Sequence, residues 1–343
     1  MQVKIDNDSF FVELNYDRLD TIFDFFKSKR HIWLDIDLEV IEQSKWYKDL
    51  GKRDKNDLKE LFVRSTRPSS KNKTISIKEN NNDVFNVDEA YFYLNQPLTI
   101  VVENYEYEPD FINCIFKNFG RELLNAKNKH WLKFENGAGK NDNAIKGMLK
   151  ELFNDSIFTK NKENYLRCFS IKDSDRKYSF NRKELPKGNN AYLKDNNIPH
   201  HILYKRAKEN YMPDSVMKSF DNNYFNTMIK TFKDELKKDF FDFTRGFNNK
   251  NKSDKDWVTK RNEEYMFFEI INIDDSDFKI LKKGVDNKEE FKRNFSKHYN
   301  NVNKDDLEKR IQHQPKLKSM VNSNDNSLRN EFEHIVYEIK YLL

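Results

Sequence analysis

Asp173 and Asp175 stand two positions apart in Lys172-Asp173-Ser174-Asp175-Arg176-Lys177, directly after the apolar run Leu166-Arg167-Cys168-Phe169-Ser170-Ile171. A short run of this kind reads as a buried strand, and residues i and i+2 of an extended chain project to the same side. Two carboxylates leaving one strand end side by side repel each other unless a cation lies between them. Oxygen donors in that arrangement point to a hard divalent ion, Mg²⁺ above all. A solvated acidic turn has the same local sequence, so the assignment turns on whether other carboxylates reach the same place.

The elements upstream supply one. Leu98-Thr99-Ile100-Val101-Val102 is a β-branched run that ends on Glu103, and Phe111, Ile112, Ile115, Phe116, Phe119 and Leu123 then recur at helical spacing. A second candidate strand, Trp131 to Phe134, runs into Glu135-Asn136-Gly137-Ala138-Gly139-Lys140, followed by the helical pattern Ile145, Met148, Leu149, Leu152. The strand bearing the Asp pair comes next, and a fourth, His201 to Tyr204, enters Lys205-Arg206-Ala207-Lys208-Glu209-Asn210-Tyr211. Strands alternating with helices predict βαβ units and a parallel sheet. In such sheets ligands collect beyond the carboxyl ends of the strands, where Glu103, the Gly137 to Gly139 turn, Asp173, Asp175 and Glu209 all fall.

A Glu after the first of these strands and Asp-x-Asp after the third resembles the TOPRIM domain, the Mg²⁺-binding module of topoisomerases, primases and nucleases. Val101-Val102-Glu103-Asn104, the Lys172 to Lys177 motif and Lys205-Arg206-Ala207-Lys208-Glu209-Asn210-Tyr211-Met212-Pro213 look like the TOPRIM nucleases of the overcoming-lysogenization-defect group. They are closer still to small stand-alone members that work beside a separate ATPase in PARIS-like bacterial anti-phage systems. The resemblance covers roughly residues 96 to 215 and lies in order and spacing. It implies an α/β fold with a Rossmann-like parallel sheet flanked by helices, and a nuclease using one or two Mg²⁺ or Mn²⁺ ions. The implied metal ligands are Glu103, Glu108, Asp173 and Asp175. The second acidic position is open among Glu106, Glu108 and Asp110, with Glu108 favoured. The family often has Glu-Gly where this chain has Glu103-Asn104, a departure that bears on the ligands of a second ion. The implied partners are a nucleic acid substrate and an ABC- or AAA-type ATPase from the same operon.

Phosphodiester cleavage needs an activated water and relief of charge on the departing oxygen, and two cations roughly 4 Å apart provide both. Glu103, Asp173 and Asp175 form the expected core, with Glu108 or Glu209 completing a second site. Lys205 or Lys208 offers a fixed positive charge for the transition state, or simply attraction for the phosphate backbone. Gly137, Gly139 and Lys140 can let a phosphate approach the backbone at a helix start. Gly-x-Gly-Lys lacks the full phosphate-loop spacing, so ATP hydrolysis falls to a partner. His130, His200 and His201 stand at strand starts as structural residues, and no Ser or Cys sits in a nucleophile-elbow context.

Composition sets the bounds. The chain has 343 residues, 37% hydrophobic and 35% charged, and its 29 Phe and 16 Tyr supply apolar bulk for packing. A net charge of +5, from 62 basic and 57 acidic residues, permits a local basic groove without demanding one. Cys114 and Cys168 fall in apolar patterns and read as small buried hydrophobes. No run approaches the roughly 18 apolar residues that cross a bilayer, and no signal segment is evident, so a cytoplasmic protein is expected.

Three regions are expected: residues 1–95, an α+β segment closing in a polar linker from Arg67 to Asn82; residues 96–215, the catalytic domain; and residues 216–343, a mostly helical module for self-association or ATPase docking. Phe240, Phe241 and Phe243 are its candidate anchors. Two further acidic motifs compete with the first. Asp35 and Asp37 follow His31-Ile32-Trp33-Leu34. Asp274, Asp275 and Asp277 follow an apolar run and precede Phe278 to Gly284 in what reads as a hairpin.

Overall fold

The computed structural model describes residues 1–66, 72–79, 81, 83–152, 158, 160–179, 191–220, 222–254, 263–285 and 288–343. Within them two parallel sheets are each packed against helices. The amino-terminal sheet holds β1 (Gln2–Ile5), β2 (Ile32–Leu34) and β3 (Thr74–Ile77) in the order β2-β1-β3. Helix α1 (Tyr16–Lys27) turns Leu19, Ile22, Phe23 and Phe26 inward, and α2 (Lys52–Ser65) adds Leu58 and Leu61. Phe10 and Phe26 stack on Trp33 with ring centroids 5.6 and 5.1 Å away, so this region has a core of its own.

β3 overturns part of the linker reading. Val3 pairs with Ile75 and Ile5 with Ile77 inside the polar stretch; residues 67–71, 80 and 82 of it lie outside the described residues. Only Ile75 and Ile77 face the core while Thr74 and Ser76 face out. A strand at the border of a sheet with one wet face reads as loop in composition.

The second sheet holds β4 (Leu98–Val102), β5 (Leu132–Asn136), β6 (Cys168–Lys172) and β7 (His200–Ile202), all parallel, in the order β5-β4-β6-β7. Every residue of β4 and β6 is buried, which is why both read as near-continuous apolar runs. After α3 (Val87–Asn95) leads into β4, the chain leaves β4 through α4 (Glu108–Phe119) and α5 (Arg121–Asn128), which cover the face carrying Ile100, Val102 and Phe169. It leaves β5 through α6 (Asn141–Leu152), which covers the opposite face with Val101 and Cys168. The single helical pattern expected from Phe111 to Leu123 is broken at Gly120, where a Cβ would come within 2.5 Å of Val336 Cγ1. Because the two connections take opposite faces, strand order reverses between β4 and β6. That reversal opens a crevice at their carboxyl ends. The observed architecture is α/β and compatible with a Rossmann-like fold.

The carboxyl-terminal region includes α7 (Asn222–Thr231), α8 (Lys288–Lys297), α9 (Lys304–Ile311) and α10 (Glu331–Leu342). One core runs without a break from Ile100 and Phe111 to Phe225, Phe241, Phe295 and Phe332, so a boundary near residue 215 cuts through shared packing. Phe240, Phe241 and Phe243 are 0, 1 and 3% exposed, which removes them as docking anchors. Phe241 instead meets Phe232, Phe247 and Phe268 at centroid distances of 4.9, 5.1 and 5.8 Å.

The expected hairpin at Asp274 is a helix, Asp275–Leu281. Phe278 and Leu281 face inward three residues apart, while Asp275 and Asp277 lie in the first turn, where negative charge suits the helix dipole. Asp275 pairs with Lys252 at 2.8 Å and Asp277 with Lys230 at 3.3 Å. Among the described residues no helix is long and apolar enough to cross a membrane.

Candidate metal centre

Adjacent strands β4 and β6 deliver the first two carboxylates, Glu103 and Asp173, each on the residue directly after its strand. The third comes from the start of α4, where Pro109 occupies the first turn and needs no amide partner. Glu108, the residue before it, folds back so that its Oε2 accepts a hydrogen bond from the Glu103 amide at 2.8 Å. One oxygen from each of Glu103, Glu108 and Asp173 lies within 4.8 Å of the others. Of the three acidic positions open in the sequence, the fold selects Glu108: Glu106 is exposed and faces Arg293 at 3.6 Å, and Asp110 is not in the group.

The segment after β7 supplies the counter-charge. The Lys208 amide donates to Asp173 Oδ1 at 3.2 Å, and its Nζ donates to Glu108 Oε1 at 3.0 Å and lies 3.8 Å from Glu209 Oε1. Burial opposes its charge, yet Glu108, Glu209 and Asp173 together hold its pKa above the ordinary lysine value. The Tyr299 hydroxyl donates to the Lys208 carbonyl, and Arg310 Nη2 donates to the Asn210 carbonyl at 2.7 Å, so helices beyond the sheet fix this segment.

The carboxylates outnumber this ammonium. Burial, then Glu108 and Asp175, push the Glu103 carboxyl up to about 7. Burial raises Asp173 well above the carboxylate range, with Lys208 opposing and Glu108 and Glu209 adding to it. Glu209 is 5% exposed and its Oε1 accepts no hydrogen bond among the described residues. Its nearest cation is the Lys208 ammonium at 3.8 Å, which Glu108 shares, so the carboxylates keep an excess of negative charge. An all-oxygen donor set with excess negative charge fits Mg²⁺ or Mn²⁺.

The raised Glu103 sets a pH dependence. Its folded pKa lies above the unfolded value, so without an ion its stabilising contribution is present below the unfolded pKa and lost as pH rises through about 7. An ion competes with that proton. Mn²⁺ affinity is expected to fall by at least about tenfold per unit as pH drops below 7; calorimetric titrations between pH 5.5 and 8 check this, and a flat profile contradicts it.

Other expected site residues take different places. β6 ends at Lys172, and Asp175 adopts a left-handed φ of 51° with its amide donating to the Arg206 carbonyl at 3.0 Å. The i, i+2 parity therefore fails: Asp175 is exposed and lies outside the three-carboxylate group, although it lines the same cavity as Asp173 and Glu209. Lys205 is fully buried, 2.6 Å from Asp239, with Nζ also donating to the Asn210 carbonyl at 3.1 Å. Burial and Arg310 push it down to about 7 against the pull of Asp239. It braces the segment from beneath and is not a charge at the site.

Gly137 and Gly139 donate their amides to the Val102 and Glu103 carbonyls at 2.6 and 2.9 Å, and Lys140 donates its own to the Gly137 carbonyl at 2.8 Å. Those three amides are spent on backbone carbonyls, two of them at the end of β4, and the Lys140 side chain is exposed. The glycine has a packing reason instead. A Cβ at Gly137 would overlap Asn141 Oδ1 at 2.0 Å, and buried Asn141 ties the Val101 and Ile171 carbonyls together with its amide.

Asp37 caps the short helix Leu38–Ile41 and Asp35 pairs with Lys4 at 2.5 Å. His201 Nε2 donates to Glu331 Oε1 at 2.9 Å, and both cysteines are buried.

Asp173, of the three-carboxylate group, opens onto a cavity of about 340 Å³ whose lining joins it, Asp175 and Glu209 to Arg206, Arg245 and Lys292. The last two come from distant stretches of chain, and no local sequence signal singles them out. Comparison with protein-family models, curated proteins and solved structures returns no match.

Proposed function

We propose that the chain is a metal-dependent nuclease of TOPRIM type that hydrolyses phosphodiester bonds of nucleic acid. The observation that carries this reading is the convergence of Glu103, Glu108 and Asp173 at the reversal of strand order, beside a buried Glu209 oxygen that lacks a donor. Glu103, Glu108 and Asp173 would hold Mg²⁺ or Mn²⁺, with Asp175 and Glu209 facing the substrate cavity. When bound, such an ion lowers the pKa of a water and offsets charge on the departing oxygen. Glu209 Oε1 is an acceptor for a proton of that water, and Lys208 keeps a positive charge beside the carboxylates. The contacts available are to phosphates, so DNA, tRNA and other RNA are all substrates at the level of the chemistry.

The resemblance in motif order supports a role as the toxic effector of a cytoplasmic anti-phage system, restrained by an ATPase partner. Incubation of the purified chain with DNA and RNA is expected to give cleavage in Mg²⁺ or Mn²⁺ and none in chelator, because water at neutral pH is otherwise a poor nucleophile. Cleavage that persists in excess chelator overturns the reading. One observation favours a second reading, a scaffold that binds nucleic acid or an ATPase without cutting: Lys208 already neutralises part of the carboxylate cluster. Glu103→Ala that leaves cellular toxicity intact would support it.

A further inference from the structure

We infer that the carboxyl-terminal helical region supplies a phosphate grip for the substrate strand, with Arg245 and Lys292 holding a backbone phosphate next to the one cleaved at the carboxylates. This rests on the nuclease reading and adds to it where the polymer lies.

One cavity is lined by four carboxylates, Asp173, Asp175, Glu209 and Asp242, and by three cations, Arg206, Arg245 and Lys292. Arg206 is committed to Asp242 at 2.7 Å. Arg245 and Lys292 make no ion pair among the described residues, although they share the cavity with four carboxylates. Among the described residues no carboxylate oxygen lies within 4.0 Å of either cation. Two cations held off from the carboxylates leave room for an anion between them, and a phosphodiester has the charge and the oxygens for both.

The cationic lining is built rather than incidental. Asp242 Oδ1 accepts from the Thr244 amide at 3.0 Å, the Thr244 hydroxyl at 2.8 Å and the Arg245 amide at 2.9 Å, while Oδ2 accepts from Arg206. One carboxylate thus ties the segment after β7 to the turn that bears Arg245. Gly246, at φ 54°, packs so closely that a Cβ would meet the Leu281 carbonyl oxygen at 1.9 Å, and one at Gly284 would meet the Thr244 carbonyl oxygen at 2.5 Å. The Arg245 backbone is consequently fixed while its side chain stays exposed. Lys292 sits on α8 between Phe291 and Phe295, which are 7 and 1% exposed and anchor the helix in the core.

The test is the Arg245→Ala/Lys292→Ala double variant beside the unaltered chain, with a fluorescent single-stranded oligonucleotide titrated in chelator across a salt series. Loss of two phosphate contacts is expected to weaken binding at least about tenfold at low salt and to flatten the slope of log affinity against log salt by about 1.4. Mn²⁺ affinity, measured by calorimetry, is expected to stay unchanged, since the carboxylates are untouched. Unchanged oligonucleotide affinity and slope, in a chain whose parent cuts nucleic acid, overturn the grip and leave the nuclease reading standing. Loss of Mn²⁺ affinity also overturns it, because the two cations would then be supporting the carboxylates. If the unaltered chain neither binds nor cuts nucleic acid, both inferences fall.

Discussion

Asp173→Ala and Glu103→Ala are each expected to lower nucleic acid cleavage by about a thousandfold, the scale of removing a fixed charge-stabilising group from a catalytic centre, while Asp277→Ala leaves it nearly unchanged. Each of the first two takes away one of three convergent oxygen donors, and neither neighbouring strand offers a replacement at that position. Asp277 looks similar in sequence but lies in the first turn of a helix and pairs with a largely exposed Lys230. Exposed pairs of that kind contribute only about 0–1 kcal/mol. Initial rates on a labelled oligonucleotide in Mn²⁺, with circular dichroism to verify folding, separate the cases. Cleavage lost in Asp277→Ala and kept in Asp173→Ala would move the site to the wrong Asp-Ser-Asp.

What could be read in advance follows from how local each signal is. β4 and β6 are buried on both faces, so their sequences are near-continuous apolar runs and the carboxylates at their ends stand out. Glu108 stood among three candidates with Glu106 and Asp110, because an acidic residue near a helix start commonly serves the helix dipole, and only the fold separates them. The strand parity that linked Asp175 to Asp173 assumed a chain extended through Asp175, and Asp175 is left-handed instead. Choosing between Lys205 and Lys208 needed the third dimension: the two lie three residues apart, one pinned beneath the segment by Asp239 and the other among the carboxylates. The role of the carboxyl-terminal phenylalanines was equally hidden. Apolar content shows that a segment packs, not which core it joins, and here it completes the core under the sheet.

Replacing the buried ammonium is the sharpest way to ask what the carboxylates require. Lys208→Met keeps the bulk of the side chain and removes its charge, leaving Glu108, Asp173 and Glu209 facing one another in a site where Lys208 was 3% exposed. Breaking a buried pair by deleting one partner typically costs about 3–5 kcal/mol, so the variant is expected to melt well below the parent in chelator. The carboxyl groups can escape by taking up protons. With the ammonium gone Asp173, which burial already raises, moves further above its unfolded value, so its stabilising contribution persists at low pH and is lost as pH rises. The deficit should accordingly be small near pH 5 and grow toward pH 8. Mn²⁺ offers the other escape, and adding it at pH 8 should recover much of the lost melting temperature. A deficit that ignores both pH and Mn²⁺ would mean that Lys208 stabilises through packing alone, and that the carboxylates around it do not share a cation site.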